Sequence, residues 1–156
     1  MLFRSGIELS AKTRGAVVSQ TRETNAEGIF ACGNVLQVHD LVDFVSEESE
    51  MAGKYAAKYV LNGNSEKDYV EITNGKNISY VCPQRVDKNV GENVKLFFRV
   101  TNTFKNCKIT AKCGDTVLLE KKKQIAVPGE METLMLLNTK LQTVNGVIEI
   151  SLEAQE

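Results

Sequence analysis

Apolar residues recur at helical spacing in one stretch of this chain and at alternate positions in several others. From about Asp43 or Ser46 to Leu61, the residues Phe44, Met51, Ala52, Tyr55, Ala56, Tyr59 and Val60 form one stripe, while Glu47, Glu50, Lys54 and Lys58 share the opposite face. The pattern predicts one amphipathic helix. Asp43 or Ser46 is expected to cap its first amides, Glu47 and Glu48 occupy its positive end, Lys58 lies near its negative end, and Asn62-Gly63 closes its last turn. Ahead of it, Ala16-Val17-Val18 and Ile29-Phe30-Ala31-Cys32 read as short strands set off by Gly15 and Gly28. Two or three strands with one helix make a poor independent core, so this half is expected to need a larger partner.

Beyond the polar stretch Leu61 to Lys67 the helical period disappears. Val94, Leu96, Phe98 and Val100 alternate with Lys95, Phe97, Arg99 and Thr101, and Cys107, Ile109, Ala111 and Cys113 alternate with Asn106, Lys108, Thr110 and Lys112. Turns are expected at Gly114-Asp115 and Pro128-Gly129, an apolar strand start at Val117-Leu118-Leu119, and further strands at Ile78 to Cys82 and Met131 to Leu137. Asn145-Gly146, between Thr143-Val144 and Val147-Ile148, is the dipeptide preferred in a type I′ hairpin. The predicted fold class is α+β: short strands plus one helix over residues 1–63, then an antiparallel β-sandwich of about seven strands over residues 64–156.

Composition narrows the function classes. The chain has 156 residues, 42% hydrophobic and 25% charged, with 19 Lys and Arg against 20 Asp and Glu, so no basic surplus points to nucleic acid or anionic lipid. No apolar run approaches the roughly 20 residues of a membrane span, and MLFRSGIELS lacks the apolar stretch of a signal peptide, which makes a cytoplasmic location the default expectation. The run Lys121-Lys122-Lys123 reads as an exposed or edge segment that discourages strand addition. The four cysteines, Cys32, Cys82, Cys107 and Cys113, form no C-x-x-C pair and only His39 is available beside them, so no metal site is expected. On one strand Cys107 and Cys113 would stand roughly 20 Å apart, beyond disulfide reach, and both read as core-facing hydrophobes. His39, beside Asp40 and near Asp43, reads as a loop residue hydrogen-bonded to backbone ahead of the helix.

The informative stretch is Thr24 to Val35, TNAEGIFACGNV, followed by the loop Leu36 to Phe44 and the helix. A glycine after a buried strand lets a ligand approach the main chain, and a helix start aimed at the same place favours electron-rich or anionic ligand atoms. Residues 13 to 57 resemble the last part of the flavin domain in FAD-dependent pyridine nucleotide-disulfide oxidoreductases of the thioredoxin-reductase-like group. That group carries a T…G-[IV]-[FY]-A-x-G-D segment, matched here by Thr24 and Gly28-Ile29-Phe30-Ala31-Cys32-Gly33-Asn34. The chain is most similar to the oxidoreductases associated with glycerol 3-phosphate dehydrogenases, in which segments like Ala31 to Val35 and Val38 to Asp43 occur together. Tyr80 to Gln84 and Pro128 to Glu132 match their β-rich appendage more loosely.

The resemblance implies that residues 1–63 are the C-terminal remnant of an FAD-binding domain. It implies a cofactor contact for Gly33 and Asn34 at the ribityl-phosphate region, Asn34 standing where the group has aspartate and keeping one acceptor. It also implies that the backbone amides of Val45 and Ser46 face the pyrimidine edge of the flavin, with no redox role for Cys32. The G-x-G-x-x-G fingerprint for FAD and the second Rossmann domain for NAD(P) are missing from the chain, as is a paired-cysteine redox centre. The expectation is therefore the C-terminal third of an oxidoreductase, either a fragment or a reading frame that starts midway, inactive alone and completed by the remainder of the flavoenzyme or a partner subunit. A homo-oligomer is left open. The alternative is a non-enzymatic β-sandwich interaction module; a third reading is a thiol redox protein using Cys32 or Cys82.

Overall fold

The computed structural model describes residues 6–154, which form two compact units dividing between Lys67 and Asp68. One long helix and eight strands in two sheets give the α+β class.

The first unit is built on helix α1, Val42–Asn62. It starts earlier than its expected caps: the N-cap residue is Leu41, which makes no side-chain cap hydrogen bond. Asp43 lies in the first turn, and the Ser46 hydroxyl donates to the Val42 carbonyl at 3.2 Å. Neither therefore caps the helix. At the other end Gly63 closes it as expected, at a positive φ (72°) with its amide donating to the Tyr59 carbonyl at 2.8 Å. Ala52 is buried, but Val60 and Leu61, at the end of the apolar stripe, are exposed.

The expected strands at Ala16–Val18 and Ile29–Cys32 are reduced to single antiparallel bridges, Leu9 to Ala16 and Glu23 to Phe30. Positive φ angles at Arg14, Arg22 and Gly28 reverse the chain before a ladder can lengthen. Between these reversals the segment Ser19-Gln20-Thr21-Arg22-Glu23-Thr24 is buried although every residue in it is polar. Gly15 lies so close to Leu36 that a Cβ on it would stand 2.2 Å from the Leu36 carbonyl oxygen, which presses the start of the chain onto the loop ahead of α1. Farther along, Tyr59 closes over Gly28, stacks edge-on to Phe30, and donates its hydroxyl to Glu27 Oε1 at 2.9 Å.

The second unit is a sandwich. Strands β1 (Tyr69–Asn74), β3 (Arg85–Asp87), β5 (Phe104–Cys113), β6 (Thr116–Ala126) and β8 (Ile148–Ala154) form one sheet in the order β3-β1-β8-β5-β6. The second sheet has the order β2-β4-β7, from Ile78–Cys82, Val94–Val100 and Glu132–Leu136. The alternating residues meet between the sheets: Leu96 and Phe98 from β4, Ile109 and Ala111 from β5, and Ile150 and Leu152 from β8 belong to one buried cluster. The β5–β6 register shifts between Ala111 and Lys112, where Leu118 is the extra residue on β6; on β5 Cys107 is buried and Cys113 half-buried. All four cysteines are free thiols.

Two details of the expected antiparallel meander are corrected. β1 and β8 pair in parallel, Ile72 opposite Ile148. They are the first and last strands of the unit and need no tight connection, which is the circumstance that permits a parallel pair in such a sheet. Asn145-Gly146 does not turn a hairpin. The preceding residues form a short helix, α2 (Asn138–Leu141), and helical bonds continue as the amides of Thr143 and Val144 donate to the carbonyls of Lys140 and Leu141, each at 3.1 Å. Leu141 and Val144, three apart, are both buried, so they act as a helix face where alternation had suggested a strand.

Candidate functional site

The sequence-derived site residues lie around the loop that leads into α1. After the bridge at Phe30 the chain enters a 3-10 turn, Gly33–Val35, whose first residue has φ 70°, a conformation open to glycine at little cost. A Cβ on Gly33 would stand 3.2 Å from Cγ1 of Val45, so the turn rests against the second turn of α1. Gly33 and Val45 are thereby brought together. Asn34 is exposed, and its Oδ1 accepts from the His39 amide at 3.3 Å, closing the loop between them. Ser46 is exposed on the far side of the first turns. Because α1 begins at Val42, the Val45 and Ser46 amides lie within the helical ladder, while the amides ahead of them at Val42 and Asp43 head the helix without a side-chain cap.

The centre of this region is Glu48, a residue that sequence reading placed at the positive end of the helix and gave no role. Its side chain is 1% exposed, and four donors converge on it. Oε2 accepts from the Gly33 amide at 2.9 Å and from His39 Nε2 at 2.9 Å; Oε1 accepts from Gln37 Nε2 at 3.2 Å and from the Arg22 guanidinium at 3.3 Å. The expectation that His39 bonds to backbone is thus replaced for its Nε2, which meets a carboxylate while its ring lies 6.3 Å from that of Phe44. A signal for Glu48 was present: it falls four residues after Phe44 and four before Ala52, on the apolar stripe itself. A carboxylate in that stripe must be buried or break it, and burial requires partners.

The cluster sets what the glycine turn offers a ligand. The Gly33 amide is engaged by Glu48 and its bare Cα accommodates Val45, so the glycine lets the turn seat on the helix. The first-turn amides of α1 favour electron-rich atoms, whereas Asp43 beside them opposes a full negative charge, a combination suited to the carbonyl-bearing edge of a neutral ring more than to a diphosphate. Val35, Val38, Leu41 and Val42 around this end are exposed, Val42 at 75%. Such a grouping of large apolar side chains is a feature of contact surfaces.

In the second unit a cleft of about 440 Å³ lies where β1 and the chain ahead of β8 diverge, lined by Asp68, Tyr69, Lys88, Asn145 and Val147 among others. Lys88 Nζ spans it, 2.9 Å from Asp68 Oδ2 and 3.3 Å from the Val144 carbonyl. Among the described residues no three metal-ligating side chains come together, and no helix is long and apolar enough to cross a membrane. No family model matches the chain, and no curated protein or solved structure matches it either.

Proposed function

We propose that this chain is the C-terminal portion of an FAD- and NAD(P)-dependent oxidoreductase, supplying one wall of the flavin site and a β-rich docking domain. The observation that carries the reading is the left-handed Gly33 turn seated on Val45 beside the uncapped head of α1. In this reading the Gly33 turn, seated on Val45, shapes the wall beside the flavin, the Val42 and Asp43 amides present donors to the pyrimidine edge, and Asn34 lines the approach. The flavin, when bound, supplies the hydride and electron chemistry. This chain's residues orient it and favour electron density at the end of the ring nearest the helix. The remaining FAD contacts and the NAD(P)H site belong to the rest of the flavoenzyme or a partner subunit, and the exposed Val35, Val38, Leu41 and Val42 form a face for it. The chain alone is expected to bind FAD weakly and to be inactive.

The core of the second unit is closed within residues 70 to 152, which suits a docking domain of the flavoenzyme and a separate interaction module alike. The test is isolation of the tagged chain from its native cells without denaturation, followed by identification of extracted cofactors. About one FAD per chain, retained with a second polypeptide bearing a dinucleotide fold, is the expected result. An assembly free of flavin overturns the flavoprotein reading in favour of the module.

A further inference from the structure

Glu48 is tied to every segment that shapes the candidate flavin wall, yet it faces inward. We infer that Glu48 is a positioning residue: its carboxylate holds the Gly33 turn and the Gln37–His39 loop against α1 and so sets flavin affinity without touching the flavin. The inference rests on the flavoprotein reading above.

Three chain segments converge on this carboxylate. Arg22 comes from the buried polar reversal, Gly33 and Gln37 from the turn and the residues after it, and His39 from the approach to the helix; all four donate to the one carboxylate. Each carboxylate oxygen accepts two donors, so both oxygens have specific work and rotation of the group gains nothing. The geometry requires an anion. A glutamine at this position keeps the shape, but turns an NH2 toward two donors and leaves the Arg22 guanidinium, itself buried, without its counter-charge. One acceptor oxygen is then left where two served four donors, and the hold on the Gly33 turn weakens although nothing on the ligand side has changed. The fixed turn corresponds to a binding wall preorganised by supporting hydrogen bonds.

The test compares three proteins isolated from native cells in the same way: wild type, Glu48→Gln and Tyr59→Phe. Tyr59→Phe removes the hydroxyl bond to Glu27 at the other end of α1 and leaves the Gly33 turn alone, which makes it the control for general loosening of the unit. Readouts are FAD dissociation constant, the visible absorption band of the bound flavin, and hydrogen exchange of the Gly33 amide in the chain without flavin. For Glu48→Gln the expected results are faster Gly33 exchange, a shifted flavin band and FAD affinity weaker by about tenfold or more, with Tyr59→Phe within about twofold of wild type. Unchanged FAD affinity in Glu48→Gln beside a flavin-loaded wild type overturns the positioning role alone. Equal losses in both variants overturn it as well, because they report loosening. A wild-type assembly without FAD overturns the flavoprotein reading, and the inference with it.

Discussion

Glycines of the first unit differ in what a side chain would meet, and substitution by alanine separates Gly15 from Gly53. A Cβ at Gly15 meets backbone, the Leu36 carbonyl at 2.2 Å, and the chain must move to admit it. Gly15→Ala is expected to destabilise the first unit by about 3 kcal/mol. At Gly53, in the exposed middle of α1, a Cβ meets nothing within 4 Å, and alanine should stabilise by about 1 kcal/mol through helix propensity. Thermal melts of the two variants check the opposite signs. Gly33 and Gly63 are retained for their positive φ. Sequence reading singled out Gly33 because it follows an apolar strand-like run, but the importance of Gly15 depends on a residue 21 positions away, which no local pattern encodes. Glu48 was legible only in part. Its place in the apolar stripe marks it as anomalous, but its partners, Arg22 above all, are set by chain reversals that have no periodic signature.

Among the helices and strands, prediction succeeded where one period runs for several turns or residues and failed where short segments compete. α1 and β4 carry long uninterrupted patterns; the region 138 to 147 mixes a helical spacing of Leu141 and Val144 with a strong hairpin dipeptide, and the tertiary burial of the leucine and valine decides the outcome. The basic run in β6 shows a further limit. β6 is the sheet's edge strand, as expected for such a run, but its lysines differ. Lys123 pairs with Glu132, which is buried on β7 of the other sheet, and Lys121 donates to the Thr133 carbonyl at 3.1 Å. Lys123→Met should therefore cost about 2 kcal/mol by leaving Glu132 without its partner, while Lys122→Met, at an exposed site, should change stability by less than about 0.5 kcal/mol; urea denaturation distinguishes them. The docking of α1 carries its own pH signature. The bond from Tyr59 to Glu27 raises the phenol above its ordinary value of 10.0, with burial and the charges of Glu27 and Glu23 acting in the same direction. Since the folded state holds the proton more tightly, this contribution is complete below the unfolded value and is lost as pH rises through the folded one. The melting temperature of the wild type is expected to fall faster than that of Tyr59→Phe above pH 10, and the Tyr59 phenolate should appear later than an exposed tyrosine in an absorbance titration.

The two units differ in what they bury, and this difference decides which stands alone. Among the described residues of the first, the buried apolar ones are Ala16, Val18, Leu36 and Ala52, against a larger buried polar set that includes Ser19 to Thr24, Gln37 and Glu48. Polar groups that satisfy one another contribute specificity more than net stability, since each bond replaces one made to water. In the second, a continuous cluster from Val70 to Leu152 fills the space between the sheets. Burying one such Val, Leu, Ile or Phe side chain is worth about 2 kcal/mol, so the sandwich has the driving force that the helical unit lacks. That two or three short strands and one helix make a poor core was readable in the sequence, whereas the buried polar segment was not, because Ser, Gln, Thr, Arg and Glu read as surface until their reversals are known. Residues 68–156, produced alone, are expected to fold and to show one cooperative transition by calorimetry, with the β-rich circular dichroism of the whole chain's second half. Residues 1–67 alone are expected to show no cooperative transition, and their helicity should rise only when the completing polypeptide is added. A sharp, independent transition in residues 1–67 would mean that the hydrogen bonds around Glu48 suffice as a core, and would remove the physical reason for assigning this unit to a larger domain.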